Sequence, residues 1–156
     1  MTSSDDPGGS TPRVWVADEQ NRPVDLAGLE RLAERALDAA GVASKFSLSV
    51  ALVDRARITE LKGRYYGEHR PTDVLSFPMG PLDGPGPAIL GDVVICVEVA
   101  ERQARGLGVS LESELEHLLV HGILHLAGHD HADARGELAM AREERRILDA
   151  ARTEAS

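Results

Sequence analysis

The chain has 156 residues, 42% of them hydrophobic but only 3% aromatic, enough for one self-sufficient domain whose core is built from Leu, Val, Ala and Ile. Its formal net charge is −9 and it holds one cysteine, Cys96, so an internal disulfide is excluded, a reducing, cytoplasmic setting is expected, and any phosphate-binding surface has to come from a local excess of cations. No apolar run approaches the roughly 20 residues of a membrane span, and the polar, acidic start lacks the basic-then-apolar order of a signal peptide.

Residues 1–12, rich in Ser, Asp, Gly and Pro, read as a disordered leader to a single domain over 13–152. Arg13 to Ala17 reads as a short strand with Val14 and Val16 alternating. From Asp25, a good N-cap, apolar residues recur at Leu26, Leu29, Leu32, Ala33, Ala36, Leu37 and Ala40, which is helical spacing, and Gly41 ends it. Phe46 to Val53 alternates as a half-buried strand. Thr59 caps a short helix reaching Tyr66. Asp73 to Phe77 is a strand closed by Pro78. Residues 78–91, with four prolines and four glycines, read as a loop. Asp92 to Cys96 is almost continuously apolar and takes a central sheet position. Val97 to Leu107 is helical and ends near Gly108.

Ser110 caps the next helix, which runs through Glu114 and His125. Glu114, His117 and His121 fall on one stripe of it. Asp133 to about Ala151 is a charged amphipathic helix with Leu138, Ile147 and Leu148 apolar, and Met140 fits its packing pattern. Helices and strands mix without strict alternation, so the class is α+β, a small mixed β-sheet with helices packed on it.

The chemistry concentrates in residues 121–131. His121, His125 and His131 stand at H-x3-H-x5-H, with Gly128 three residues after the second histidine. Residues four apart on a helix lie about 40° apart and about 6 Å along the axis, so His121 and His125 reach one ion. Gly128 lets the helix end and the chain return, bringing His131 round from the following loop. Three neutral imidazoles with an open fourth position make a catalytic zinc arrangement, one zinc per chain. The spacing matches H-E-x-x-H-x-x-G-x-x-H except for the glutamate, here Gly122. That carboxylate is the general base of the proteases, so its absence argues against proteolysis.

Between Arg55 and Arg70, five basic residues (Arg55, Arg57, Lys62, Arg64, Arg70) stand against Glu60 and Glu68. This is a local excess of three beside the metal motif, suited to an RNA backbone. His117 is a candidate partner of a ligand imidazole or a core histidine. Glu114 is an orienting carboxylate or a surface residue, with general base as the lesser alternative, and Asp130 and His129 shape the ligand loop or hydrogen-bond a ligand imidazole. His69 and Ser76 are candidates for a substrate groove, and Cys96 for the core.

Three blocks give the chain a family resemblance. Pro71 to Pro78 is similar to Pro-Thr-(Asn/Asp)-Val-Leu-Ser-Phe-Pro, Leu90 to Cys96 to Leu-Gly-Asp-Ile-Val-Ile-Cys, and Glu114 to His131 to Glu-Leu-x-His-Leu-x-Val-His-Gly-x-Leu-His-Leu-x-Gly-Tyr-Asp-His. Together they resemble the YbeY family, bacterial endoribonucleases of rRNA maturation. The resemblance implies a zincin-like α+β fold and a metal on His121, His125 and His131. It implies a metal-dependent, single-strand-specific nuclease acting at the small-subunit rRNA 3′ end and in ribosome quality control. Implied partners are rRNA precursors, the ribosomal small subunit and its proteins, and the GTPase Era. Two positions depart from the family: His129 replaces its Tyr, and Tyr66 replaces the arginine that is its proposed catalytic cation. Arg64 is the candidate for that role, with Arg70 as its rival, and Arg55, Arg57, Lys62, Arg70 and Ser76 are the candidates for RNA contact. The alternative is a metal-containing ribosome assembly factor with little or no nuclease activity.

Overall fold

The computed structural model describes residues 12–79, 87–128 and 134–155. The leader, apart from Pro12, and residues 129–133, including His129, Asp130 and His131, lie outside them. In chain order the elements are β1 (Val14–Glu19), α1 (Leu26–Ala39), β2 (Phe46–Val53), α2 (Arg55–Tyr66), β3 (Val74–Pro78), β4 (Ala88–Cys96), α3 (Val97–Leu107), α4 (Leu111–Leu126) and α5 (Ala134–Ala155). Among the described residues the strands form one sheet in the order β1-β2-β4-β3. β1, β2 and β4 are parallel, and β3 pairs antiparallel to β4 at the edge. This is the expected α+β class with a mixed sheet, and β4 takes the inner position that its apolar run requires.

Period-two alternation sorts the strand residues onto two faces. Leu48, Val50, Leu52, Val93 and Ile95 face the main core, where they meet Leu29, Ala33 and Leu37 of α1, Leu119 and Ile123 of α4, and Met140 and Ile147 of α5. Val53, Val94 and Cys96 face the other way, onto Ile58 of α2. The sheet therefore carries α1, α4 and α5 on one side and α2 on the other, while α3 packs beside α4. Arg13 ties the entry to β1 to the loop after α1, donating to Phe46 O at 2.9 Å and Val42 O at 3.0 Å and pairing with Asp38 at 2.6 Å.

Two boundaries and one side-chain placement stand apart from the sequence reading. α2 begins at Arg55, because the Asp54 side chain accepts from Arg57 N at 2.8 Å and caps the helix five residues before the cap expected at Thr59. β4 begins at Ala88, so its first turn of pairing takes up the end of the expected loop, with a register irregularity opposite Ser47 and Leu48. Gly91 makes that pairing possible, since a Cβ there would meet Phe77 O at 2.5 Å. On α5, Leu138 is exposed rather than buried; the inward stripe is Met140, Glu144, Ile147 and Ala151.

Cys96 is fully buried, and burial pushes its thiol up against backbone hydrogen bonds that act the other way. A thiol that is both inaccessible and protonated reacts only when the chain opens. Alkylation of the native protein is expected to run slower than that of the urea-unfolded chain by a factor on the order of 10² or more, measured by quenched labelling and intact mass. Comparable rates would place Cys96 outside the core.

Candidate functional site

The site lies where α4 crosses the β3 edge of the sheet. Ser110 caps α4 by accepting from Ser113 N at 3.0 Å, and Gly122 fixes how closely the helix approaches the strands. A Cβ at Gly122 would meet Val93 Cγ1 at 2.7 Å and Ser76 Oγ at 3.2 Å. In this contact Ser76 Oγ donates to Gly122 O at 3.2 Å, so β3 is stitched to the helix backbone. With residue 122 pressed on the sheet, the stripe His117, His121 and His125 turns toward the open side of β3.

The stripe opens onto a cleft of about 560 Å³. Its floor is His117, His121 and His125 of α4, its side wall is Asp73, Ser76 and Pro78 of β3 and the residue before it, and Lys62 and Tyr66 of α2 with Glu68 form the rim. The rings of His121 and His125 meet edge to face, centroids 4.7 Å apart, with the two Nε2 atoms 3.2 Å apart. Two nitrogens each about 2.0–2.1 Å from a tetrahedral zinc are about 3.3 Å apart. The spacing of this pair therefore fits a shared ion. His131 lies outside the described residues.

Glu144 of α5 reaches into the same cluster. One carboxylate oxygen bonds His121 Nδ1, and the other bonds His117 Nε2 at 3.0 Å. Glu144 is almost fully buried; burial raises a carboxyl's pKa, but the bonds to His117 and His121 outweigh it and hold this one at about 2. The same hydrogen bond pushes the His117 imidazole up. Glu114 is also buried, and burial pushes its carboxyl up. It approaches His117 Nδ1 only to 3.9 Å, so it faces His117 rather than a candidate ligand.

Of the five basic residues singled out in the sequence, Lys62 alone lines the cleft. Its ammonium is 3.5 Å from Glu68, whose other oxygen pairs with Arg70 at 2.9 Å. Arg70 is exposed outside the cleft lining, Arg55 approaches Glu98 at 3.9 Å, and Arg57 pairs with Glu60 on the opposite side of the sheet. Arg64 is exposed and is not part of the cleft wall. The reason is helical geometry: Lys62 and Tyr66 lie about 40° apart, whereas Arg64 lies about 200° from Lys62. Tyr66 instead donates from its hydroxyl to Ser76 O at 3.2 Å and leans on Phe77. His69 packs over Gly63 of α2 and does not line the cleft.

The model of the endoribonuclease YbeY family matches residues 15–152. The chain belongs to that family. Endoribonuclease YbeY of Thermobifida fusca is 50% identical over 126 residues, which cover 77% of this chain and 81% of that protein. Endoribonuclease YbeY of Aquifex aeolicus is 49% identical over 124 residues, covering 80% and 81%. The solution structure of TM1509 from Thermotoga maritima superimposes with a TM-score of 0.63 at 28% identity, covering 90% of each chain. The sequence reading picked out His121, His125, Lys62 and Ser76, which the fold brings to one cleft. It did not pick out Glu144. The available signal was a glutamate in register with Met140, Ile147 and Ala151 on the apolar stripe of α5, a position where an unpartnered carboxylate is costly.

Proposed function

We propose that this chain is a metal-dependent endoribonuclease that cuts single-stranded RNA, with one zinc ion held by His121, His125 and His131. Its relatives carry the name endoribonuclease YbeY, and the observation that carries the metal reading is the convergence of the His121 and His125 Nε2 atoms at 3.2 Å on the cleft floor. A zinc bound there supplies Lewis acidity toward a phosphoryl oxygen and lowers the pKa of water toward neutrality, so no protein carboxylate has to stand at Gly122. The cleft's own groups do the rest. Lys62 meets a backbone phosphate and offsets charge on its oxygens, in competition with Glu68. Tyr66 and Ser76 hold α2 against β3, which keeps that lysine at the rim.

The biological substrate in this reading is precursor rRNA at the small-subunit 3′ end, in the cytoplasm, with ribosome quality control as a second task. The small subunit and its proteins and the GTPase Era are the partners. Among the described residues no helix is long and apolar enough to cross a membrane. One observation favours a second reading, a ribosome assembly factor that binds metal and RNA with little or no cleavage: the position of the family arginine is Tyr66, and its hydroxyl is engaged by Ser76.

Elemental analysis of protein purified without an affinity tag is expected to give one zinc per chain, and the zinc-loaded protein is expected to cut an unstructured RNA. His121→Ala should lose both. Zinc binding without cleavage would favour the assembly factor; a metal ratio well below one, unchanged in His125→Ala, would remove the metal site.

A further inference from the structure

Glu144 comes from the last helix, yet among the described residues it is the carboxylate hydrogen-bonded to His117 and His121 of α4. An ionised carboxylate only accepts hydrogen bonds, so each nitrogen facing it has to carry a proton. His117 therefore donates through Nε2 at 3.0 Å, and His121 donates through Nδ1. A neutral imidazole holds one proton. In the neutral tautomer that keeps Nδ1 protonated toward Glu144, the lone pair of His121 lies on Nε2, the atom 3.2 Å from His125 Nε2. Which nitrogen of a metal-binding imidazole is bare is set by the hydrogen bond that the other nitrogen makes.

We propose that Glu144 is a positioning residue that holds His121 in the Nδ1–H tautomer and fixes its ring angle, so that α5 presets one arm of the cleft floor for a cation. The second oxygen is what makes the device rigid. A carboxylate with one partner rotates about its last torsion, whereas one held from His117 on one side and His121 on the other does not. Packing of Met140 and Ile147 in the core keeps α5 from sliding along α4 and so keeps Glu144 at the right height. The inference rests on the metal reading for its consequence, but not for the tautomer itself.

Two measurements separate the two. Nitrogen-15 NMR of histidine-labelled, metal-free protein, at a pH above the usual histidine range, reads the tautomer directly. His121 is expected as Nδ1–H in the unmodified protein and as a mixture in Glu144→Gln, since an amide satisfies at most one of the two donors as an acceptor. Competition against a chelator of known affinity is expected to show zinc held about 10–100-fold more weakly by Glu144→Gln, with a far-ultraviolet spectrum unchanged. His121 found as Nε2–H in the unmodified protein overturns the proposal, and that observation requires no variant to fold. A Glu144→Gln protein with unchanged tautomer and unchanged zinc affinity overturns it as well. If the unmodified protein binds no zinc but the tautomer depends on Glu144, the positioning role stands and the metal reading falls.

Discussion

Gly122→Glu is expected to destabilise the fold severely and to yield no peptidase. The glutamate would restore the residue that separates the histidine motif from that of the metal-dependent proteases, but α4 has no room for it. Its first carbon alone would stand 2.7 Å from Val93 Cγ1, and Val93 is fully buried. Overpacking of this kind costs about 1–3 kcal/mol. The carboxyl would then be desolvated between Val93 and Ser76, where its nearest donor already serves Gly122 O, which adds about 2 kcal/mol or more. A total near 5 kcal/mol approaches the whole stability of a typical domain, so a loss of melting temperature on the order of 10–20 °C is the expected minimum. Gly122→Ala makes a useful control. Alanine is better than glycine inside a helix by about 1 kcal/mol, which offsets part of the clash, so a small loss is expected. Thermal melts of both variants, with an unstructured peptide as substrate, decide the matter; a Gly122→Glu protein of unchanged stability that cleaves the peptide would show that the space and the chemistry both exist.

What could be read in advance follows from how far each signal reaches along the chain. His121 and His125 are four residues apart on one helix, so their convergence is a property of helical geometry and was legible before any fold was known. The strand Phe46–Val53 and the helix Val97–Leu107 were legible for the same local reason. The cation of the cleft was not. Five basic residues between Arg55 and Arg70 look alike in sequence, and their sorting depends on how α2 packs. α2 seats Ile58 on the far face of the sheet, and in that setting Lys62 and Tyr66 line the cleft while Arg64, about 200° round the helix from Lys62, does not. Glu144 was hidden for a different reason. It lies 23 residues from His121 along the chain, and only the packing of α5 on α4 joins them.

Lys62→Ala is expected to lower the rate of RNA cleavage by about 10²–10³-fold, the range seen when one charge-stabilising donor is removed from an active site. Arg64→Ala is expected to change it by less than about threefold, in line with a surface contact of at most about 1 kcal/mol. The ordering reverses the one suggested by the chain alone, where Arg64 stands nearest the position of the family arginine. Three facts support it. Lys62 lines the same cleft as His121 and His125. Its ammonium is held at 3.5 Å by Glu68, so its place at the rim is set before substrate arrives. Arg64 points away from that cleft on the same helix, and its guanidinium would have to wrap around α2 to reach a phosphate there. Arg70 falls between them: it shares Glu68 with Lys62 at 2.9 Å but stands outside the lining, so Arg70→Ala should weaken RNA binding and steepen no rate defect. Glu68→Gln tests the same arrangement from the other side. Freeing Lys62 from its counter-charge should tighten RNA binding at low salt while leaving the lysine less well placed. Single-turnover cleavage, with RNA affinity measured separately, resolves these effects. A large loss of rate in Arg64→Ala with Lys62→Ala unaffected would mean that the arginine reaches the phosphate despite its position, and that the cleft lysine only balances Glu68.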